Sequence, residues 1–234
     1  MGLAHSPRIV TDGLVLALDA GNTKSYPGSG STWTDLSGNG NNGTLENDVG
    51  YDSGNGGSLS FDGVDDYVDC GNLTTLNDIT IQMLVKPLSN AGSYRGFIGA
   101  VGASGNDYDS GFAIDMSFNS TTSFNKCHFE GGILRVAGGT NFMTSSIPFG
   151  TWTNICFSIS SSYIQFYLNG SAELGTTRLN NITSTIGMNN FRIGRRPSAD
   201  YLDGNIAQVS IYNRALTASE VSQNFNALRG RFGI

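Results

Sequence analysis

The chain has 234 residues, of which 14% are charged and 38% hydrophobic, a balance that excludes an intrinsically disordered protein. The net charge of −6 argues against a nucleic acid as partner, because proteins that bind nucleic acids carry basic patches. The 32 glycines indicate many turns, and all-β sandwiches of this length form one domain.

Neither membrane segments nor disulfides are predicted. No apolar run approaches the ~18 residues of a membrane-spanning helix, and residues 1–7 lack the charged head and apolar stretch of a secretory signal. Cys70, Cys127 and Cys156 form no Cys-x-x-Cys pair and are odd in number. We therefore expect three reduced cysteines in or near the core, formed in a reducing compartment.

The elements predicted along the chain are short strands separated by turns. Aliphatic residues at 14–19 predict a buried strand, and the Gly-, Ser- and Asn-rich stretch 21–57 predicts a long loop anchored by Trp33 and Leu36. Apolar or alternating segments predict further strands at 58–61, 67–70, 79–85, 96–101, 111–116, 126–130, 134–137, 152–158, 163–168, 191–194 and 204–212. Asn169-Gly170 predicts a type I′ hairpin turn.

One helix is predicted near the C-terminus, over residues 217–229. Thr217 and Glu220 have the spacing of a capping box, in which hydroxyl and carboxylate bond the free N–H groups of the helix start. Gly230 follows as the predicted C-cap. The apolar face of the helix is formed by Val221, Phe225 and Leu228.

These elements predict an all-β fold, a two-sheet antiparallel jelly-roll sandwich with one short C-terminal helix. Residues 13–234 form this single domain, and residues 1–12 precede it as an N-terminal arm. Residues 1–8 are too polar and short to order alone, so we expect them to dock on a neighbouring subunit.

Four aspartates are candidate metal ligands. Asp62, Asp65 and Asp66 form the densest acidic cluster, and Asp203 lies in another turn before a late strand. Loop carboxylates suit Ca²⁺, which takes six to eight oxygen ligands. The alternative is that they cap tight turns, because aspartate side chains bond nearby backbone N–H groups.

Loop aromatics are candidate sugar-binding residues, because sugar rings stack on flat π faces. The alternative is that each ring covers an edge of the core and keeps its hydroxyl in water. The candidates are Tyr26, Tyr94, Tyr108 and Tyr201, and Tyr51 is a further one. The adjacent Arg195 and Arg196 are assigned to a solvated loop.

The residues favour a protein that is not an enzyme. There are two histidines, His5 in the arm and His128 in a strand pattern, and no Gly-x-Ser-x-Gly motif. Glycosidases need two carboxyl groups across the scissile bond, but the four glutamates fall in separate segments.

Six segments in this order resemble the concanavalin A-like, laminin-G-type jelly roll, and together they cover nearly the whole chain. They are WTDLSGNGNNG at 33–43, LSFDGVDDYV at 59–68, GTWTNICF at 150–157, YLNG at 167–170, FRIG at 191–194 and LDGNIAQVSIYNRALT at 202–217. Such a resemblance implies the fold more strongly than the function.

The two ends, HSPRIVTDGLV at 5–15 and QNFNALRGRFGI at 223–234, resemble virion proteins of tailed phages of marine bacteria, cyanobacteria among them. This resemblance implies a non-enzymatic structural protein, a capsid decoration or a tail or fibre component. Such a protein would assemble with other virion proteins in the host cytoplasm and work as a homo-oligomer. The alternative is a module that binds host surface glycans, and a polysaccharide-cleaving enzyme is a remote third.

Overall fold

Two antiparallel sheets packed face to face make up the protein in a computed structural model. The structure describes residues 8–89, 94–101, 111–116, 123–124, 127–131, 140–141, 145–173, 177–178, 185–197 and 199–234. Every strand pairing in these ranges is antiparallel, so the predicted two-sheet sandwich with one C-terminal helix is confirmed.

The larger of the two sheets, here the large sheet, has nine strands. Numbered in chain order, they are β1 (Leu14–Asp19), β4 (Gly50–Asp52), β5 (Ser58–Asp62), β7 (Ile79–Pro87), β14 (Thr153–Ile159), β15 (Tyr163–Leu168), β16 (Ser171–Ala172), β17 (Thr177–Arg178) and β21 (Asp203–Tyr212). Their spatial order is β16-β15-β14-β7-β21-β5-β4, with β1 beside β21 and β17 beside β15.

The other sheet, here the small sheet, has eight strands in the order β12-β11-β9-β8-β18-β6-β3-β2. They are β2 (Thr32–Trp33), β3 (Gly43–Glu46), β6 (Tyr67–Asp69), β8 (Arg95–Val101), β9 (Phe112–Met116), β11 (Cys127–Gly131), β12 (Thr140–Asn141) and β18 (Asn189–Ile193).

Two short ribbons and three helical segments complete the description. The ribbons pair β10 (Ser123–Phe124) with β13 (Ile147–Pro148), and β19 (Arg195–Arg196) with β20 (Ala199–Tyr201). The helical segments are a 3-10 turn at Gly54–Gly56, the helix α1 (Ala218–Leu228) and a 3-10 turn at Arg229–Arg231.

The core lies between the sheets because each strand turns alternate apolar side chains inward. The large sheet contributes Phe157 and Phe166, whose ring centroids lie 4.8 Å apart. The small sheet contributes Phe112 and Phe191 at 6.4 Å. Trp33 is fully buried, as predicted for an anchor of its loop.

The prediction of one long loop over 21–57 is wrong, because β2, β3 and β4 lie within it. Leu36 is 39% exposed and does not anchor the segment. The anchor is its neighbour Asp35, whose Oδ1 accepts the N–H groups of Ala17 at 2.9 Å and Ser37 at 2.9 Å. Polar side chains therefore cover the free edge of β1, which would otherwise expose unpaired backbone groups.

The C-terminal helix begins as predicted and ends differently. The Thr217 hydroxyl accepts the N–H of Glu220, and the Glu220 carboxylate accepts the N–H of Thr217, so the capping box is confirmed. Gly230 is not the C-cap, because the chain continues into the 3-10 turn at Arg229–Arg231. This continuation brings Phe232 onto Trp152, with ring centroids 4.7 Å apart.

The helix covers the outer face of the large sheet through a buried polar network centred on Asn224. Its Oδ1 accepts the N–H of Val10 at 2.7 Å. Its Nδ2 donates to Gln82 Oε1 at 2.9 Å and to the Tyr212 hydroxyl at 3.0 Å. The Tyr212 hydroxyl donates in turn to the carbonyl of Val10 at 3.1 Å. One amide thus joins the helix, the large sheet and the segment 8–12.

The predicted hairpin turn also supports the helix. Asn169 and Gly170 have φ of 49° and 75°, as a type I′ turn requires. A Cβ on Gly170 would lie 2.7 Å from Cδ1 of Phe225, so the helix packs directly on this turn.

Two of the three cysteines can be located. Cys70 and Cys156 are free and buried, as predicted, whereas the side chain of Cys127 lies outside the described residues. Within the part of the chain that the structure describes, no helix is long and apolar enough to cross a membrane.

We predict that Asn224→Ala lowers the free energy of unfolding by about 2–4 kcal/mol, because each polar group left unbonded in the interior costs about 1–3 kcal/mol. Asn226→Ala is the matched control, since Asn226 is exposed on the same helix and should change stability by less than about 0.5 kcal/mol. Urea unfolding measures the stability of both variants. Equal decreases in the free energy of unfolding would contradict the role of the Asn224 hydrogen bonds in holding the helix on the sheet.

Candidate functional site

The outer face of the small sheet carries a group of charged and aromatic side chains that contact one another. The opposite outer face, on the large sheet, is covered by α1 and the residues around Val10 and Phe232. The β19–β20 ribbon lies across the small sheet, where glycines permit close approach. A Cβ on Gly96 would lie 2.2 Å from the Arg196 nitrogen, and one on Gly99 would lie 2.4 Å from Cδ of Pro197.

We call the residues Tyr67, Arg192, Arg195 and Tyr201 the arginine–tyrosine surface. The guanidinium of Arg195 lies over both tyrosine rings, 5.1 Å from the centroid of Tyr67 and 4.8 Å from that of Tyr201. Its Nη1 also donates to the Tyr201 hydroxyl at 3.1 Å. Arg192 lies over Tyr67 at 5.5 Å. Tyr67 and Arg192 occupy the outward positions of β6 and β18, beside the buried Val68 and Ile193.

A buried ion pair fixes the ribbon that carries this surface. Nε of Arg196 lies 3.3 Å from Oδ2 of Asp115, and the two side chains are 8% and 0% exposed. The Arg196 guanidinium also lies 5.0 Å from the ring centroid of Tyr94 and 3.4 Å from Oδ2 of Asp200. The assignment of Arg196 to a solvated loop is therefore wrong, because its partner Asp115 comes from a distant strand of the small sheet.

The acidic turn, residues 62–66, adjoins this surface. Asp62 Oδ1 accepts the N–H groups of Val64 at 2.8 Å and Asp65 at 3.4 Å. Asp66 Oδ2 accepts the N–H of Asp62 at 2.9 Å. Arg95 joins the turn to the ribbon, since its Nη1 donates to the carbonyls of Gly63 at 2.7 Å and Tyr201 at 2.8 Å.

Burial raises the pKa of the Asp66 carboxyl to about 6. The hydrogen bond from the Asp62 N–H opposes this rise, and the charges of Asp62, Asp65 and Asp48 add to it. Asp66 is 4% exposed, whereas Val64 at the tip of the turn is 69% exposed. The turn therefore has a buried carboxyl at its base and an open tip.

Three of the four predicted metal ligands come together. One oxygen from each of Asp62, Asp65 and Asp66 lies within 4.8 Å of the other two. Asp203 is outside this group; it faces Asp62 across the β5–β21 pairing, and its carboxylate accepts the hydroxyl of Ser89. Two of the three carboxylates accept backbone N–H groups, as turn-capping aspartates do, and three carboxylates together are fewer than the six to eight oxygen ligands that Ca²⁺ takes.

The predicted sugar-binding tyrosines fall in different places. Tyr51 is 37% exposed on β4 of the large sheet, with its ring centroid 5.4 Å from that of Tyr26. Tyr201 lies in the arginine–tyrosine surface, and Tyr94 lies under Arg196. Tyr26 is 3% exposed and donates its hydroxyl to the carbonyl of Gly30 at 2.9 Å, which leaves no open ring face for a sugar. Tyr108 lies outside the described residues.

Sequence reasoning missed Tyr67, Arg192 and Arg195 as members of the site. The sequence around Tyr67 predicts only a short strand, because the ring and the guanidinium groups that contact Tyr67 come from β18 and the ribbon, far along the chain. The signal in the sequence was the adjacent pair Arg195 and Arg196, which a low charge content makes unusual.

A separate groove of about 330 Å³ lies at an edge of the sandwich. It is lined by Leu14, Val15, Asn39, Asn41, Thr74, Leu76 and Asn213. The amides of Asn39 and Asn41 donate to the carbonyl of Val15 at 3.1 Å and 2.9 Å, so these side chains serve the edge of β1. None of the predicted site residues lines the groove.

We predict that Asp66→Asn removes a pH dependence of stability. Because the pKa of Asp66 is raised to about 6 from about 4 in the unfolded chain, its contribution is fully present below pH ~4 and is lost as pH rises through ~6. The wild-type unfolding free energy should fall by up to about 1.4 kcal/mol per pH unit there relative to the variant. Urea unfolding of the wild type and the variant between pH ~4 and ~6 measures this fall, with Asp65→Asn as control. If the unfolding free energies of the wild type and Asp66→Asn change with pH in parallel, the raised pKa of Asp66 is contradicted.

The wild type and these variants also test the hypothesis that the acidic turn binds Ca²⁺. Melting curves in EDTA and in millimolar Ca²⁺ should superimpose if the carboxylates form the turn. A calcium site occupied at a thousandfold excess over its Kd would instead stabilise the fold by about 4 kcal/mol.

Solved structures of several proteins share this fold. Domain 4 of AbnA, an extracellular arabinanase from Geobacillus stearothermophilus in complex with arabinotriose, matches with a TM-score of 0.63 and 20% identity over 90% of this chain and 97% of that one. Trypanosoma rangeli sialidase matches with a TM-score of 0.67 and 16% identity over 95% of this chain, which spans 35% of the sialidase. The binding domain of Paraclostridial Mosquitocidal Protein 1 matches with a TM-score of 0.67 and 18% identity over 93% of this chain and 52% of that one.

These identities are low, so the likenesses establish the fold alone. No curated protein sequence matches the chain significantly. The family model described as Concanavalin A-like lectin/glucanases superfamily matches residues 61–222, well over half of the chain. This range contains the acidic turn and the whole arginine–tyrosine surface. The chain therefore belongs to the concanavalin A-like lectin/glucanase superfamily.

Proposed function

We propose that the chain is a non-enzymatic binding domain that holds a glycan on its arginine–tyrosine surface. The observation that carries this proposal is the position of Arg195, whose guanidinium is held over two tyrosine rings and bonded to the Tyr201 hydroxyl on the outer face of the small sheet. Aromatic rings beside planar hydrogen-bonding groups suit the faces and hydroxyls of sugar rings. The arabinanase domain with arabinotriose supports the proposal as a related fold seen with a sugar.

The distribution of acids supports a binding role over hydrolysis. A glycosidase places two carboxyl groups about 5–9.5 Å apart on either side of the scissile bond. The carboxylates of the acidic turn are crowded at a protruding turn, and Asp115 and Asp200 pair with Arg196. Asp115 is also fully buried, which keeps it from contact with a substrate.

We predict that Tyr201→Ala weakens glycan binding at least tenfold, because it removes one ring and one hydroxyl from the surface. Tyr51→Ala is the control, since Tyr51 is 37% exposed on β4 of the other sheet. A glycan array identifies the ligand, and calorimetric titration compares the variants. Equal affinities of Tyr201→Ala and wild type, or the absence of any ligand on a broad array, would contradict the proposed function.

A second candidate, a virion structural role, concerns the opposite face. The two segments that resemble phage virion proteins pack together: the N–H of Val10 donates to Asn224, and Gln223 Nε2 donates to the carbonyl of Arg8 at 2.7 Å. We propose that this face assembles with further copies or other virion proteins, leaving the arginine–tyrosine surface turned outward. Repetition on a particle would raise avidity by ~10²–10⁴ over a single site.

Mass spectrometry of purified phage particles and light scattering on the isolated protein test this role. We expect a stoichiometric particle component that forms a closed oligomer in solution. A strict monomer that is absent from particles would contradict the virion role while leaving the glycan-binding proposal intact.

A further inference from the structure

We infer that the arginine–tyrosine surface selects acidic glycans, those that carry carboxylate or sulfate groups, and that Arg195 receives the anionic group. This inference rests on the proposed glycan-binding function and adds the class of ligand to it.

Arg195 is the cation of this surface that has no carboxylate partner among the described residues. Arg192 lies 3.7 Å from Asp69, and Arg196 lies between Asp115 and Asp200. The described contacts of the Arg195 guanidinium are with neutral oxygens: the carbonyl of Arg196 at 3.0 Å, the carbonyl of Pro197 at 3.2 Å and the hydroxyl of Tyr201 at 3.1 Å. Its positive charge is therefore left uncompensated at close range.

The donors of Arg195 match an anionic group with two oxygens. A guanidinium has five N–H groups, of which Nε holds one and each terminal nitrogen holds two. The three contacts use one N–H on each nitrogen, so one N–H remains on Nη1 and one on Nη2. Two such donors can bond the two oxygens of a carboxylate or sulfate, the strongest arrangement that arginine makes.

The tyrosines hold Arg195 in place and are themselves partly covered. Tyr67 has the guanidinium groups of both Arg192 and Arg195 over its ring, and Tyr201 has that of Arg195. Ring faces that carry guanidinium groups offer less area to the C–H face of a neutral sugar. The same stacking fixes the guanidinium before the ligand arrives, which reduces the entropy lost on binding.

The acidic turn does not cancel this preference. Arg95 stands between the turn and the surface, bonded to the carbonyls of Gly63 and Tyr201. The net charge of −6 repels an acidic glycan at long range, but at ~0.1 M ionic strength charges beyond ~10 Å are largely screened. Binding should therefore depend on direct contact with Arg195 and weaken as salt is raised further.

The experiment compares pairs of glycans that share a sugar backbone and differ in charge. Oligogalacturonate carries a charged carboxylate where its methyl ester carries a neutral ester, and dextran sulfate and dextran form the sulfate pair. We expect calorimetric titration to give at least tenfold tighter binding to one or both acidic forms than to the neutral partner. Arg195→Gln should remove this difference, and Arg195→Lys, which keeps the charge without the planar pair of donors, should retain part of it.

Arg8→Gln is the matched control, because Arg8 is exposed beside the helix on the opposite face and should bind like wild type. Thermal unfolding establishes whether each variant is folded. If Arg195→Gln does not fold, the binding of Arg195→Lys and the comparison of charged with neutral glycans test the inference. Equal binding of charged and neutral partners, or full acidic preference in a folded Arg195→Gln, would overturn the inference. If the protein binds a neutral glycan as well as an acidic one, and Tyr201→Ala abolishes that binding, the proposed glycan-binding function stands and the acidic preference is wrong. If the protein binds no glycan at all, the proposed function and the acidic preference are both wrong.

Discussion

The architecture depends on the full hydrogen bonding of one buried amide, that of Asn224. An apolar residue at this helix position would leave the N–H of Val10 and the oxygen of Gln82 without partners inside the protein. Such unbonded groups are costly, so the helix, the segment 8–12 and the outer face of the large sheet are held in one arrangement. The bond between Val10 and Asn224 joins residues 214 positions apart, and it closes the chain on itself.

Closing this face determines which surface can meet a ligand. Ala207, Trp152 and Phe232 form a second buried cluster on the large sheet's outer face. On the small sheet, Gly96 and Gly99 let a ribbon lie against the strands, and the ion pair of Arg196 with Asp115 fixes it there. The ribbon then presents Arg195 between two tyrosine rings. A buried amide on one side and a buried ion pair on the other thus give the molecule one covered face and one face that carries the arginine–tyrosine surface.

The features that the sequence predicted are those that local patterns encode. Alternation placed β5, β7 and β15, and the spacing of Thr217 and Glu220 placed the start of the helix. The strands β2, β3 and β4 were missed because they have only 2, 4 and 3 residues, too few for an alternating pattern to show among so many glycine, serine and asparagine residues. Asn224 sits within an apolar helix face, where a polar residue gives no local sign of its three bonded partners.

The site was likewise predicted only where its residues form a local pattern in the sequence. The acidic turn was visible because its residues are consecutive, and Tyr201 was visible as a loop aromatic. The role of Arg195 was not, since it depends on Tyr67 from β6, and the burial of Arg196 depends on Asp115 from β9. Long-range pairing of charges and rings leaves no periodicity that a single sequence could reveal.

The central claim is that ligands meet the open face of the small sheet and leave the closed face untouched. Amide hydrogen exchange with and without a bound acidic glycan tests this most directly. We predict slower exchange in β6, β18 and the ribbon that carries Arg195 and Tyr201, with no change in α1. Protection confined to α1, or to the groove around Asn39 and Asn41, would contradict it.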